Sequence, residues 1–136
     1  MGADMTIEVL NGLSLLLLLI MWVQTGRAYP TLPSRIPMHF GLRGTADRYG
    51  SRNGIWLLPV VAAGCVAELS FLPAEPHLSL FMASLKLEMV FMFACISRDQ
   101  VRVAVGLQQK ISLLTWIALA VIALTGVIAP LHMVPR

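Results

Sequence analysis

Charged side chains are scarce in this sequence: Asp, Glu, Lys and Arg make up only 12% of its 136 residues. A soluble domain carries about a quarter of charged residues, so the shortage argues against a water-exposed surface of ordinary size. Cysteine is also rare, and Cys65 and Cys95 are too few for a disulfide framework, so we interpret both as small packing residues. Hydrophobic residues, in contrast, reach 57%.

These hydrophobic residues are concentrated in four long blocks, at residues 7–24, 55–72, 77–96 and 111–130. Each is close to the roughly 20 residues that cross a hydrocarbon core about 30 Å thick, where the backbone must be helical to satisfy its own hydrogen bonds. A soluble bundle of buried helices is the alternative, but so short a chain has no polar shell to cover them. We therefore predict an all-α integral membrane bundle of four transmembrane helices, a single domain over residues 1–136 with a structured first loop.

A basic segment before the first block is lacking. Residues 1–8 contain Asp4 and Glu8 but no Lys or Arg, whereas a cleaved signal peptide normally starts with a positively charged stretch. We predict that the first block is a retained transmembrane helix.

Basic residues are distributed unequally between the two sides of the predicted bundle. Loops 24–54 and 97–110 together carry Arg27, Arg35, Arg43, Arg48, Arg52, Arg98, Arg102 and Lys110, and the other side has only Arg136. The positive-inside rule therefore predicts that both loops are cytoplasmic and both termini outside, in a bacterial inner membrane. This bias explains the pI near 9.3, and we expect no nucleic-acid partner.

The first loop is longer than a connector between adjacent helices needs to be. Three prolines within residues 30–37 exclude a regular helix there, and glycines further along allow tight turns. His39, Asp47 and Tyr49 are the potentially reactive side chains of this loop. We predict that residues 29–52 fold back on the bundle and present a defined surface.

The motif of this loop is Leu-Pro-x-x-Ile-Pro-x-His-Phe-x-x-x-Gly-x-x-Asp-x-x-Gly-Ser-Arg, followed by an apolar helix that opens Leu-Leu-Pro. Over residues 29–59 it resembles the small membrane domain of SdpI-type bacteriocin immunity proteins, in which Lys is usual at the position of Arg52. The resemblance implies a protein that protects a producing cell from a secreted killing peptide and holds a cognate repressor at the membrane. It implies that His39, Asp47, Tyr49 and Arg52 contact a peptide or protein partner.

Considered from their chemistry alone, His39 and Asp47 have two interpretations. Imidazole and carboxylate are common metal ligands, but two ligands eight residues apart are too few for a site. Structural hydrogen bonds within the loop are the simpler interpretation, and Asp47 or Ser51 can also cap the second helix. We expect no metal and no cofactor.

Ionisable residues inside the predicted helices are the other candidates, because a buried charge in a membrane is usually paired and often functional. We expect Lys86 of the third helix to pair with Glu68 of the second, with Glu8 as the competing partner. Glu88 would then point toward the first helix or a polar cavity. These groups either fix helix pairing or line a pocket for a peptide, ion or lipid.

No nucleophile–base pair, phosphate loop or nucleotide motif is present, so we expect no enzyme. The leading hypothesis is an immunity or signalling protein that binds a partner through loop 29–52 and the polar residues of the bundle. The alternatives are an accessory subunit of a larger membrane complex, or a small transporter or channel that works as an oligomer. We therefore expect the protein to contact the lipid bilayer and to bind a protein or peptide partner. We also expect it to form a homo- or hetero-oligomer.

Overall fold

The computed structural model describes residues 2–133, and this part of the chain has four helices long and apolar enough to cross a membrane. The protein is therefore a multi-pass membrane protein, which confirms the predicted all-α membrane bundle. The helices are α1 (Ala3–Ala28), α2 (Leu57–Phe71), α3 (Pro76–Ala104) and α4 (Leu113–Met133). A 3₁₀ turn, Arg52–Trp56, precedes α2 and extends it to a span of 20 residues.

Helix α3 lies at the centre of the bundle and packs against the other three helices. Helices α1 and α2 also touch, whereas α2 and α4 both rest on α3 and leave a gap between them. The buried positions include small residues such as Ala62 and Ala83, which let helices approach closely without a hydrophobic driving force. Leu15 and Leu19 of α1 are more than half exposed, as expected for side chains that face lipid.

Two helices are longer than predicted. Helix α1 begins at Ala3, and α3 continues to Ala104, so the predicted loop 97–110 is reduced to residues 105–112. The polar run Ser97-Arg98-Asp99-Gln100 suggested a loop, but it is helical, and all its members except Arg98 are buried. At 1.5 Å per residue the 29 residues of α3 span about 43 Å, so α3 extends beyond a hydrocarbon core about 30 Å thick.

The structured first loop contains a small β-sheet that the sequence analysis did not predict. After a 3₁₀ turn at Tyr29–Thr31, strands β1 (Arg35–Phe40) and β2 (Ala46–Ser51) pair in antiparallel fashion. We call residues 35–51 the hairpin. Pro37 lies opposite Tyr49, and an irregularity in the register follows it. Ser51, not Asp47, caps a helix: its hydroxyl accepts from the Asn53 amide at the start of the 3₁₀ turn before α2.

The hairpin is fixed to the ends of α3 and α4. Leu32, Ile36 and Ile55 form a small buried core that packs against the last turns of α3. The side-chain amide of Gln100 donates to the Pro37 carbonyl at 2.6 Å, and the Ile111 amide donates to the Gly44 carbonyl at 2.9 Å. The hairpin therefore covers one end of the bundle, which we call the hairpin side.

Candidate functional site

A cleft of about 560 Å³ lies between the hairpin and the helix ends beneath it, at the hairpin side of the gap between α2 and α4. We call it the hairpin cleft. Its volume falls within the range of roughly 300–1,000 Å³ that is typical of ligand sites. Most of the lining is apolar, and the polar side chains at its wall are few. The lining residues on which the description depends are Met38, His39, Leu42, Asp47, Leu57, Ile96, Gln100, Thr115, Trp116 and Leu119.

His39 and Asp47 form a polar pair at the exposed rim of this cleft. The His39 Nδ1 and Asp47 Oδ1 atoms are 2.6 Å apart, and the two side chains are 61% and 53% exposed. Neighbouring strands carry them, so the sheet brings together two residues that are eight positions apart in the sequence. No group of three or more His, Cys, Asp or Glu side chains suited to a metal ion occurs in residues 2–133.

Gln100 supplies a buried polar group in the same cleft. Its side chain is only 4% exposed, and its amide nitrogen already binds the Pro37 carbonyl. Its carbonyl oxygen, Oε1, is buried and has no hydrogen-bond partner among the described residues. An unsatisfied buried acceptor costs about 1–3 kcal/mol, so a ligand donor that reached Oε1 after a turn of the Gln100 side chain would recover that free energy.

Asp99 holds together the helix ends that form the floor of the cleft. The carboxylate is fully buried and accepts from the Ser112 amide at 2.7 Å, the Ser112 hydroxyl at 2.9 Å, the Gln108 side-chain amide at 2.9 Å and the Thr115 hydroxyl. A carboxylate at the start of α4 also interacts favourably with the helix dipole. Asp99 therefore positions Thr115 and the first turn of α4.

Tyr49 and Arg52, which were predicted to contact a partner, lie outside the cleft. The Tyr49 side chain is half exposed, and its carbonyl accepts from Arg35 at 3.1 Å. The Arg52 guanidinium sits 5.1 Å from the centre of the Tyr29 ring, which is a cation–π arrangement. Of the four predicted loop residues, the structure brings only His39 and Asp47 to the cleft.

The predicted pair between Lys86 and Glu68 is wrong. The Lys86 ammonium donates to the Ser70 hydroxyl at 3.2 Å, and within residues 2–133 it forms no ion pair with Glu68 or Glu8. Ser70 follows Glu68 by two residues, so the Glu68 side chain points in another direction and is exposed. Lys86 itself is 8% exposed, which leaves it buried with a neutral partner.

Glu88 is partly buried, and its buried Oε2 atom has no hydrogen-bond partner in the described part of the chain. At 1.5 Å per residue, Lys86 lies about 21 Å along α3 from Gln100, so these charges are remote from the hairpin cleft. The predicted residues thus fall into two separate regions, one formed by the hairpin with the adjoining Arg52 and the other on α2 and α3 away from the hairpin cleft.

Gln100, Asp99 and Trp116 are the site residues that the sequence analysis missed. The carboxylate of Asp99 and the amide of Gln100 lie just after an apolar block, and this position could have indicated a buried polar cluster. Polar groups near the membrane are usually paired with other groups. The partners of Asp99 and Gln100 are 9 to 63 residues away in the sequence, so local patterns did not reveal them.

Comparison with known proteins finds a domain family that is similar to the segment containing this loop. A family model described as a domain of unknown function, DUF1648, matches residues 16–63, which include α1 from its middle, the hairpin and the start of α2. An uncharacterised protein of Archaeoglobus fulgidus is 38% identical over 54 residues, which are 40% of this chain and 30% of the archaeal protein. The match thus spans less than a third of that relative. No solved structure matches significantly.

Proposed function

We propose that the protein is a membrane-embedded binding protein that holds a peptide segment of a partner in the hairpin cleft. The observation that carries this proposal is the combination of an apolar cleft with a buried, unpartnered Gln100 Oε1. A peptide matches both features, since it offers apolar side chains for the lining and backbone N–H donors for the oxygen. The alkyl chain of a lipid would fill the apolar part but leave Oε1 unsatisfied.

The rim pair gives the cleft a means of orienting the peptide. His39 and Asp47 are more than half exposed, so each retains hydrogen-bonding capacity toward a ligand. Polar groups of this kind at an apolar pocket fix orientation and contribute specificity more than affinity. The residues have roles in binding on this proposal, and none is assigned to catalysis.

The resemblance to SdpI-type proteins supports a particular kind of partner. On that basis the peptide belongs to a secreted killing peptide or to a repressor held at the membrane, and the protein acts in immunity or signalling. The match to DUF1648 covers the loop that carries this resemblance. Tyr49 and Arg52 would contact the partner only where it extends beyond the cleft onto the outer surface of the hairpin.

Site-directed photo-crosslinking in native membranes tests the proposal. A photoreactive residue at Leu42, which is 97% exposed and lines the cleft, should produce a discrete crosslinked product. The variants His39→Ala, Asp47→Asn and Gln100→Leu should reduce its yield about fivefold or more, because each removes a hydrogen bond worth roughly 1 kcal/mol or more.

Arg48→Ala is the matched control, since Arg48 is exposed on the hairpin and does not line the cleft. It should leave the yield unchanged, and all variants should insert into the membrane normally. Unchanged crosslinking in the three cleft variants would refute the proposal. Crosslinks at Leu42 to several stoichiometric membrane subunits would favour an accessory subunit instead.

A further inference from the structure

A second concave feature, separate from the hairpin cleft, lies between α1 and α3 near the hairpin side. It is a groove of about 210 Å³, to which α1 contributes Gln24 and Thr25, and α3 contributes Ser97, Arg98 and Arg102. We call it the arginine groove. It is smaller than the roughly 300 Å³ at which sites for drug-sized ligands begin, so it suits a small group.

The charge in this groove is not balanced by the protein. Arg98 and Arg102 are four residues apart and lie on the same face of α3, where like charges destabilise the helix. Within residues 2–133 no carboxylate pairs with either guanidinium. Asp99, the acid between them in sequence, is buried and fully engaged with Gln108, Ser112 and Thr115.

Most of the hydrogen-bonding capacity of the two arginines is free. Arg102 Nε donates to the Gln108 side-chain oxygen at 2.8 Å, and no bond in the described residues engages its terminal nitrogens. Arg98 is exposed and has no hydrogen-bond partner there. A guanidinium presents a planar fork of donors that matches the oxygens of a phosphate, which makes Arg well suited to binding it.

The depth of the groove places it at the membrane surface. About 20 residues of α3 suffice to cross the hydrocarbon core, so its last nine or so, from about Ile96 onward, reach the headgroup region. Arg98 and Arg102 fall within this stretch. The rings of Trp22 and Trp56 lie in a tilted contact with centres 5.7 Å apart near the same end of the bundle, and indole rings favour the membrane interface.

We propose that the arginine groove binds the phosphate of an anionic lipid headgroup. Arg98 and Arg102 donate to the phosphate oxygens, and the hydroxyl of Ser97 and the amide of Gln24 contribute further polar contacts. The acyl chains then lie along the exposed apolar surface of α1. This site is independent of peptide binding in the hairpin cleft, so either proposal can fail without the other.

Lipid titration of the purified, delipidated full-length protein tests this site. Native mass spectrometry would count bound phosphatidylglycerol, with phosphatidylcholine of the same chain length and inorganic phosphate as comparisons. The wild type should bind phosphatidylglycerol at least about tenfold more tightly than the double variant R98Q/R102Q, because charge-assisted bonds to phosphate are among the strongest. It should also prefer phosphatidylglycerol to phosphatidylcholine.

The double variant R43Q/R48Q is the matched control, because it removes the same charge from the hairpin without altering the groove. It should bind phosphatidylglycerol like the wild type. Arg98→Gln alone changes an exposed residue without partners, so it retains the fold and should weaken binding by several-fold. Equal binding by R98Q/R102Q and the wild type would refute the site, as would equal loss in R43Q/R48Q. Saturation by inorganic phosphate that displaces the lipid would show a phosphate-ion site instead.

Discussion

At the scale of single residues, Gly44 shows most directly how the hairpin is held. Its φ is +76°, a left-handed backbone conformation that residues other than glycine adopt only at a cost in free energy. A Cβ atom at this position would lie 3.1 Å from the Ile111 side chain, and Trp116 is next to it. The close approach lets the Gly44 carbonyl accept the Ile111 amide, which anchors the hairpin turn beside the cleft.

We expect Gly44→Ala to destabilise the hairpin by about 1–2 kcal/mol, the usual cost of a left-handed conformation for an L-residue. Hydrogen exchange of the hairpin amides in detergent should become correspondingly faster. Gly12→Ala is the control, because no atom lies within 4 Å of its added Cβ in the interior of α1. Exchange in the hairpin that does not change in Gly44→Ala would show that the turn is not needed for docking.

The sequence could predict which residues belong to the cleft only where those residues are close to each other in the chain. His39 and Asp47 belong to one loop and are only eight residues apart. Gln100 was not predicted, because its partner Pro37 lies 63 residues away and the polar run that contains it suggested a loop. The Lys86 prediction was wrong because it assumed a charged partner, whereas a hydroxyl of the neighbouring helix is closer.

At the scale of elements, Asp99 joins α3, the loop at residues 105–112 and α4. Both carboxylate oxygens are used, one by Gln108 and the other by Ser112 and Thr115. Three side chains and one backbone amide therefore depend on a single group. This arrangement ties the start of α4 to the end of α3 beside the hairpin cleft.

Replacement of Asp99 by Ala should lower the free energy of unfolding by an amount on the order of 3 kcal/mol, because several buried donors lose their acceptor at once. Asp99→Asn keeps an acceptor oxygen and should fall between Ala and the wild type. Thermal unfolding in detergent measures both effects. Asp4→Ala, at the exposed first turn of α1, should unfold like the wild type. Equal stability of the Asp99 and Asp4 variants would contradict this role.

The four helices followed from hydropathy alone, because lipid forces helical segments of a set length. The hairpin could not be predicted from hydropathy, and Pro37 is the main reason. Proline removes a ladder donor and argues against a strand, yet β1 tolerates it because both strands of a two-stranded sheet are edge strands. The sequence predicted a structured loop, whereas its strand pairing depends on contacts with helices distant in sequence.

At the scale of the whole molecule, the fold places the hairpin and the loop after α3 on the same side. The bridge between Thr45 and Lys110 joins them directly. Which side of the membrane this is remains the prediction of the positive-inside rule, that is, the cytoplasm. The short connection between α2 and α3 lies at the opposite end of the bundle.

Cysteine accessibility checks this arrangement. In a background without Cys65 and Cys95, a membrane-impermeant thiol reagent added to intact cells should label Glu75→Cys but not Arg43→Cys or Gln109→Cys. Lysis should make all three reactive, because each of these residues is exposed. Labelling of Arg43→Cys in intact cells would reverse the orientation, and different sidedness of Arg43→Cys and Gln109→Cys would contradict the fold.

The dependence of Asp99 on residues that follow it has a consequence for biogenesis. Ser112 and Thr115 are synthesised 13 and 16 residues later, a delay of roughly 1 to 3 s at about 5–20 residues per second. Until then Gln108, nine residues after Asp99, is the one of its three partner residues that has already been made. The end of α3 can therefore reach its final arrangement only after the start of α4 has emerged.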